Sequence, residues 1–233
     1  YSLIVHSPDL FSQDHILDLA AEDSKLWQRS IDELQRVIDL TRALKSKFQG
    51  SLPTKVVVSM GGSSMHSPLP LDERPKLYER VANGVSALDT EGVEVLAQTL
   101  PPYPWYLGGQ RFCNLFVDPK ETVDFSVETG VRLCLDVAHT KLACTHLRQS
   151  FSRAIDLLAP VADHLHLVDA SGLDGEGLQI LEGDIDWMAL STQLDVLAPG
   201  VSFIPEIWQG HVGQGQGFWV AMERLEPLFG PKR

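Results

Sequence analysis

A chain of 233 residues, 44% of them hydrophobic, is long enough to bury one full core, and α/β barrels of this size are common. Its formal charge of -12 excludes a general affinity for nucleic acid, which needs clustered Lys and Arg, while leaving scope for a small substrate at a locally organised site. No apolar stretch approaches the roughly 18 residues of a membrane span, and no signal peptide opens the chain.

Tyr1–His6 (YSLIVH) reads as a core strand that stops at the Ser7-Pro8 turn. It begins abruptly, without an initiator Met, which suggests processing or excision from a longer polypeptide. Ser24–Phe48 is an amphipathic helix, with Ile31, Leu34, Ile38 and Leu44 recurring on one face. Lys55–Met60 (KVVVSM) is a β-branched strand closed by Gly61-Gly62, and Lys76–Leu88 is the next helix. Val93–Gln98 (VEVLAQ) is a strand that leads into a Pro- and aromatic-rich loop, Leu100–Gly109. A helix over Asp118–Thr129, a strand over Arg132–His139 (RLCLDVAH) and a helix over His146–Leu158, stopped by Pro160, follow. The strand His164–Asp169 (HLHLVD), a helix over Asp186–Leu197, the strand Ser202–Glu206 (SFIPE) and a final helix around Phe218–Leu228 end the series. Cys113, Cys134 and Cys144 share no zinc-finger spacing, and Cys134 lies inside an apolar strand, so a buried structural thiol is expected there, with a reducing cytoplasm as the default.

Strands alternating with helices imply βαβ units and a parallel sheet, in one domain over residues 1–233. The strands centre on Ile4, Val57, Leu96, Leu133, Leu165 and Phe203. A closed TIM barrel needs two more, and no internal segment is free to supply them. The reading is a TIM (β/α) barrel lacking its first one or two strands in this chain. A doubly wound open sheet is the alternative, but it places a Gly-rich phosphate loop after an early strand, and Met60–Ser64 matches that only weakly. Unpaired barrel edges must be covered, which predicts a homo-oligomer, a rearranged N-terminus or a larger parent polypeptide.

Four strands end in a side chain that can bind a metal or move a proton, and in a parallel barrel those ends share one face. Asp136, His139, His166 and Glu206 together make a candidate ligand shell for one divalent cation, two carboxylates and two imidazoles suiting Mn²⁺, Zn²⁺ or Co²⁺. Each residue also has a plainer reading. A lone Asp-x-x-His is most often an Asx turn beside an unrelated His. His164 and His166 share a strand face, so one can be structural, and Glu206 can serve as an ion-pair partner at the barrel end. His6 follows a strand and lines the mouth, or is only a turn residue. His66 meets a phosphate or sugar hydroxyl, or is a solvated loop residue. Trp105 and Tyr106 form a lid or stacking platform, or anchor their loop. Glu176 and Glu182 lie in an acidic stretch that reaches over the site, or is merely solvated.

Asp-Val-Ala-His at 136–139, His-Leu-His-Leu-Val-Asp at 164–169 and Pro-Glu at 205–206 resemble the signature strands of the xylose-isomerase-like barrels. That superfamily includes sugar isomerases and epimerases, inosose dehydratases and the endonuclease IV type of DNA repair enzyme. Tyr1–Asp9 is similar to its third strand. The Gln98 strand with its aromatic loop, and Gly175–Asp186, resemble the subgroup encoded beside or fused to sialic-acid-synthase-like enzymes. The resemblance implies a metal held by Gln98, Asp136, His166 and Glu206, with His139 on the substrate side and His164 in support. The metal expected is Mn, Zn, Co or Mg. One departure matters: the family's first metal-binding Glu is Gln98 here, and an amide oxygen can ligate a cation but cannot take a proton. The implied function is metal-dependent isomerisation or epimerisation of a sugar or sugar phosphate, with Glu206 as base and His139 polarising a substrate oxygen. A non-catalytic or regulatory barrel of a larger sialic-acid-synthase-like enzyme is the alternative. A nuclease of the endonuclease IV kind is disfavoured by the acidity and by the absent Asp-x-His step after Asp169.

Overall fold

The computed structural model describes residues 2–48, 50, 53–106 and 109–230. Tyr1, the expected start of the first strand, and residues 107 and 108 of the aromatic loop lie outside the described residues. Among the described residues, six parallel strands form one sheet. They are β1 (Ile4–His6), β2 (Thr54–Val58), β3 (Val93–Gln98), β4 (Leu133–Asp136), β5 (Ala162–Leu167) and β6 (Ser202–Pro205). The strands pair in chain order, so each crossover returns to the next position, as in a singly wound barrel. The sheet is a curled part-barrel of six strands where a closed one has eight, with β1 and β6 at its edges.

Side-chain alternation explains how this sheet sorts its residues. Val56, Val58, Val95, Ala97, Leu133, Leu135, Leu165 and Leu167 point to the convex face. There they join one buried cluster with Leu34 and Ile38 of α1 (Ser24–Leu44) and Val81 of α2 (Arg74–Ser86). The same cluster takes Phe125 of α3 (Pro119–Thr129), Ile155 of α5 (Phe151–Leu158), Leu190 of α6 (Trp187–Leu197) and Leu225 of α7 (Val212–Phe229). The alternate residues Val57, Leu96 and Cys134, with Ile4 against them, make a separate small core on the concave face. One step further along each strand, the concave positions become polar. Cys134 is free and buried, as expected, and so are Cys113 and Cys144. No helix among the described residues is long and apolar enough to cross a membrane.

All six expected strands form, and the differences lie at the ends. The strand expected to reach His139 stops at Asp136, because Asp136 Oδ1 accepts a hydrogen bond from His139 N (2.9 Å) and caps a helix, α4 (Val137–Leu147). The helix expected over His146–Leu158 is instead the end of α4 and all of α5. Arg148 takes a left-handed conformation (φ 56°) and Ser150 caps the new start. Past β5 the chain forms a hairpin, Asp169–Ser171 against Gly175–Leu178, where only an acidic loop was expected.

Asp169 holds that hairpin to the barrel. Its carboxylate is fully buried and accepts from Trp187 Nε1 (2.7 Å), Ala170 N and Ile185 N. Trp187→Phe keeps most of the buried ring and removes one donor from a buried charge. Urea unfolding should show a loss of about 1–3 kcal/mol. Met188→Ala, on the exposed side of the same helix, should stay within about 0.5 kcal/mol of the parent.

His164 supplies a pH signature. It is fully buried on the concave face, with Nδ1 2.9 Å from Ser202 Oγ and Nε2 unpartnered among the described residues. Burial, then the neighbouring His166, pushes its pKa from 6.5 down to about 4. Below pH 6.5 the unfolded state therefore binds a proton that the native state refuses. Its contribution to stability is complete above pH 6.5 and is lost as pH falls to about 4, by roughly 3 kcal/mol. Denaturant titrations across that window should show the loss, and His164→Gln should flatten it.

Candidate functional site

The C-terminal ends of β1, β3, β4 and β5 carry His6, Gln98, Asp136 and His166, and Glu206 follows β6 directly. Alternation turns all four strand residues to the concave face, so curvature gathers them at one mouth. His166 is the hub. Its Nδ1 lies 2.6 Å from Glu206 Oε2, 3.2 Å from Gln98 Nε2 and 3.6 Å from Asp136 Oδ2. The His6 and His166 rings are 5.7 Å apart. One donor atom each from His6, His166 and Glu206 falls within 4.8 Å of the other two, a spacing that a single cation can bridge. His6, expected on the substrate side, thus stands among the donors.

Asp136 and His166 are buried and Glu206 is half exposed. Burial works to raise the Asp136 pKa, but His139 and His166 outweigh it and hold the carboxyl below its ordinary value. Burial likewise opposes the charge on His166, yet Cys134, Asp136 and Glu206 lift its pKa well above that of free imidazole. The cluster attracts positive charge, as two carboxylates around a buried centre must.

Gln98 departs from the expected arrangement in one respect. Its Oε1 turns to the β1 side, 3.0 Å from His6 Nε2 and 3.4 Å from Ser59 Oγ. Its Nε2 instead donates to Asp136 Oδ2 at 3.4 Å. An amide oxygen reaches the centre only if the amide turns over, which exchanges the two groups in place.

His139 sits on the first turn of α4 beside the cluster. Nδ1 donates to the Thr99 carbonyl (2.9 Å) and Nε2 lies 3.3 Å from Glu176 Oε2. Burial opposes its charge, but Asp136 and Glu176 raise its pKa to about 9. Glu176 arrives from the hairpin. Gly177 beside it carries a positive φ of 76°, and a Cβ there would lie 2.8 Å from Trp208 Cβ. Only glycine permits that close approach, sealed by Trp208 N donating to the Gly177 carbonyl (2.9 Å). Asp136, His139, Glu176, Glu206, Trp208 and His211 line a cavity of about 370 Å³, within the range of small-molecule sites.

Other sequence candidates lie elsewhere. His66 is exposed in the 65–68 loop, and no hydrogen bond among the described residues ties it to the cluster. Trp105 is 68% exposed on a two-residue strand paired with Gly109–Gln110. Glu182 pairs with Arg224 (2.8 Å), away from the mouth. The structure adds residues that sequence reasoning passed over. Ser59 lies 3.4 Å from Gln98 Oε1, and the Thr99 carbonyl accepts from His139 Nδ1. Asp9, beyond the end of β1, is within electrostatic reach of His6, His139 and Glu206. Asp9 lies three residues past a strand end in a turn, where an Asp is ordinary, so a single sequence carries no signal for it.

Solved structures share this fold. A D-tagatose 3-epimerase-like protein aligns with a TM-score of 0.67 at 18% identity, covering 97% of this chain and 78% of that one. The IolI protein with a bound zinc atom aligns at 0.70 and 11% identity, covering 97% and 76%. Endonuclease IV from Thermus thermophilus aligns at 0.61 and 19% identity, covering 97% and 76%. At these identities the likeness is one of fold. No curated protein matches the chain. The xylose isomerase-like TIM barrel family matches residues 1–226, and the chain belongs to that family.

Proposed function

We propose that this chain is a divalent-metal-dependent isomerase or epimerase that moves a proton on the carbon next to a sugar or sugar-phosphate carbonyl. The observation that carries the reading is the convergence of His6, His166 and Glu206 at the strand ends, with Asp136 Oδ2 3.6 Å from His166 Nδ1. The donor chemistry fits a cation. Two carboxylates match its charge, and His6 Nδ1 donates to the Ser7 carbonyl (2.7 Å), the tautomer that leaves Nε2 free as a ligand. Turning the Gln98 amide over would point its NH₂ toward Ser59 Oγ and its oxygen toward Asp136 and the centre. Mn²⁺, Zn²⁺, Co²⁺ or Mg²⁺ held there would act as a Lewis acid toward the developing enediolate oxygen.

The residues divide the remaining work. Glu206, half exposed beside the cavity, is placed to take the proton from carbon. His139 carries two donor hydrogens, one fixed on Thr99, and can offer the other to a substrate oxygen in exchange for Glu176. Trp208 gives the cavity an aromatic wall for a sugar face. The similarity of fold to D-tagatose 3-epimerase-like and D-psicose 3-epimerase structures supports the sugar assignment.

Gln98 favours a second reading, a non-catalytic or regulatory barrel, because its amide already satisfies Asp136 by hydrogen bonding. A nuclease is disfavoured, since the Asp169 carboxylate is committed to Trp187 and two backbone amides.

Elemental analysis after exposure to Mn²⁺ or Zn²⁺ should find near one ion per chain. His166→Ala should weaken binding by more than the roughly 10–100-fold that loss of an outer-shell partner costs. An unchanged affinity in that variant would remove the metal site. The activity test is solvent deuterium exchange into ketoses and their phosphates with metal present. Wild type should exchange, and Glu206→Gln should lose at least about 100-fold of the rate. Metal binding with no exchange into any ketose would leave the regulatory reading.

A further inference from the structure

The cavity at the mouth is walled by carboxylates. Asp136, Glu176 and Glu206 all line it, and among the described residues around it there is no Lys or Arg. Its basic groups are the imidazoles of His139 and His211, and His139 Nε2 already faces Glu176 Oε2 at 3.3 Å. Lys141, further along α4, places its Nζ 5.8 Å from the Phe151 ring of α5. Phosphate is ordinarily held by Arg, Lys or helix N-terminal amides, and the loop after the last barrel strand is a usual place for it. Here that loop is Gly-rich, yet the amides of Gly210, Val212, Gly215 and Gly217 donate to the carbonyls of Ile207, Gln209, His211 and Gly210. Residues 213–215 are left-handed, so α7 does not open on a regular first turn of aligned amides.

Glu176 is built into this wall. Its hairpin is fastened at the base by the Asp169–Trp187 hydrogen bond. The tip is held by Asp184 Oδ2, which accepts from Ser171 Oγ (2.9 Å) and Gly172 N (3.0 Å). The close approach of Gly177 to Trp208 fixes the residue that follows. Glu176 remains 44% exposed, so a substrate can reach its carboxylate. His139 Nε2 and Glu176 Oε2 therefore stand as a donor and an acceptor side by side in the cavity.

We propose that the substrate is an unphosphorylated sugar and that Glu176 selects it, accepting a hydrogen bond from a sugar hydroxyl and repelling a phosphate group in its place. This rests on the isomerase or epimerase reading above and narrows it. The donor and acceptor pair fits two neighbouring oxygens of a sugar chain. One oxygen accepts from His139 Nε2, and the adjacent hydroxyl donates to Glu176. A phosphate ester at that hydroxyl has no proton to donate, and it brings negative charge against a carboxylate.

The test measures kcat and KM for solvent deuterium exchange into free ketohexoses and ketopentoses and into their terminal phosphates. Wild type, Glu176→Gln, Glu176→Lys and Glu182→Gln are compared, each loaded with Mn²⁺. Wild type should prefer the free ketose by at least about tenfold in kcat/KM, because a site that binds a hydroxyl discriminates strongly against a form without it. Glu176→Gln keeps the size and an acceptor oxygen. It should raise KM for the free ketose by about tenfold while kcat stays within about threefold, since a neutral hydrogen bond replaces a charge-assisted one. The same variant should accept the phosphate within about threefold of the free sugar, and Glu176→Lys should favour the phosphate. Glu182→Gln removes a charge that is paired with Arg224 away from the mouth, and it should keep the wild-type preference. Loss of preference in Glu182→Gln would assign selection to the field of the whole acidic chain and overturn the role of Glu176. Wild type that does not prefer the free sugar, or a Glu176→Gln variant with unchanged preference, would also overturn the proposal and leave the isomerase reading standing. Wild type that exchanges neither form would overturn the isomerase reading, and selection by Glu176 with it.

Discussion

A carboxylate with no exposed surface sits at the end of a central strand, and most of the local architecture follows from the need to satisfy it. Asp136 is out of water, where an unpaired charge is strongly unfavourable. One oxygen is taken by the amide of His139 at the start of α4, so the same residue ends a strand and starts a helix. The other faces His139, His166 and the Gln98 amide, drawn from α4, β5 and β3. Three elements distant in sequence are thereby fixed around one charge. A cation at that centre would complete what the imidazoles otherwise provide.

That concentration of polar groups is possible only because the sheet separates its two faces. Past Thr54 and Asp163 near the strand starts, the convex positions are apolar and take the helices. Concave positions are free to change character along the strand, from Val57, Leu96 and Cys134 in the middle to Gln98, Asp136 and His166 at the end. Stability and chemistry are thus written in alternate residues of the same strands. In Leu133–Asp136 the two sets interleave within four positions.

This interleaving also explains what the sequence made legible. Period-2 alternation and turn residues mark a strand and its end, so the six strands and the residues at their C-terminal ends could be read directly. The resemblance of 136–139 and 164–169 to a family pattern then supplied an order for them. What escaped depends on contacts between distant segments. Arg148 breaks a helical pattern by adopting a left-handed conformation that local composition does not announce. The hairpin at Asp169–Leu178 is short, polar and Gly-rich, and forms because Asp169 is held by Trp187 and Gly177 packs against Trp208. His66 and Trp105 were attractive by residue type, yet both are exposed on their loops, whereas Ser59 and Thr99 were ordinary by type and touch Gln98 and His139. Residue type proposes chemistry, and only loop geometry decides which groups meet.

Gln98 draws these threads together. A carboxylate at that position would be a third negative group beside Asp136 and Glu206, and Asp136 could share its burial with it only if a cation were bound. The amide removes that demand. It donates to Asp136 and accepts from the Ser59 side, so the mouth is satisfied with fewer charges at its centre. Farther out, Glu176 on the hairpin stands 3.3 Å from His139 Nε2, a carboxylate at the rim rather than at the centre. Charge at the rim is less costly to desolvate than charge at the centre. With an amide at residue 98, the buried charge of Asp136 is met by donors from β3, α4 and β5, and the mouth holds together through hydrogen bonds among its own side chains.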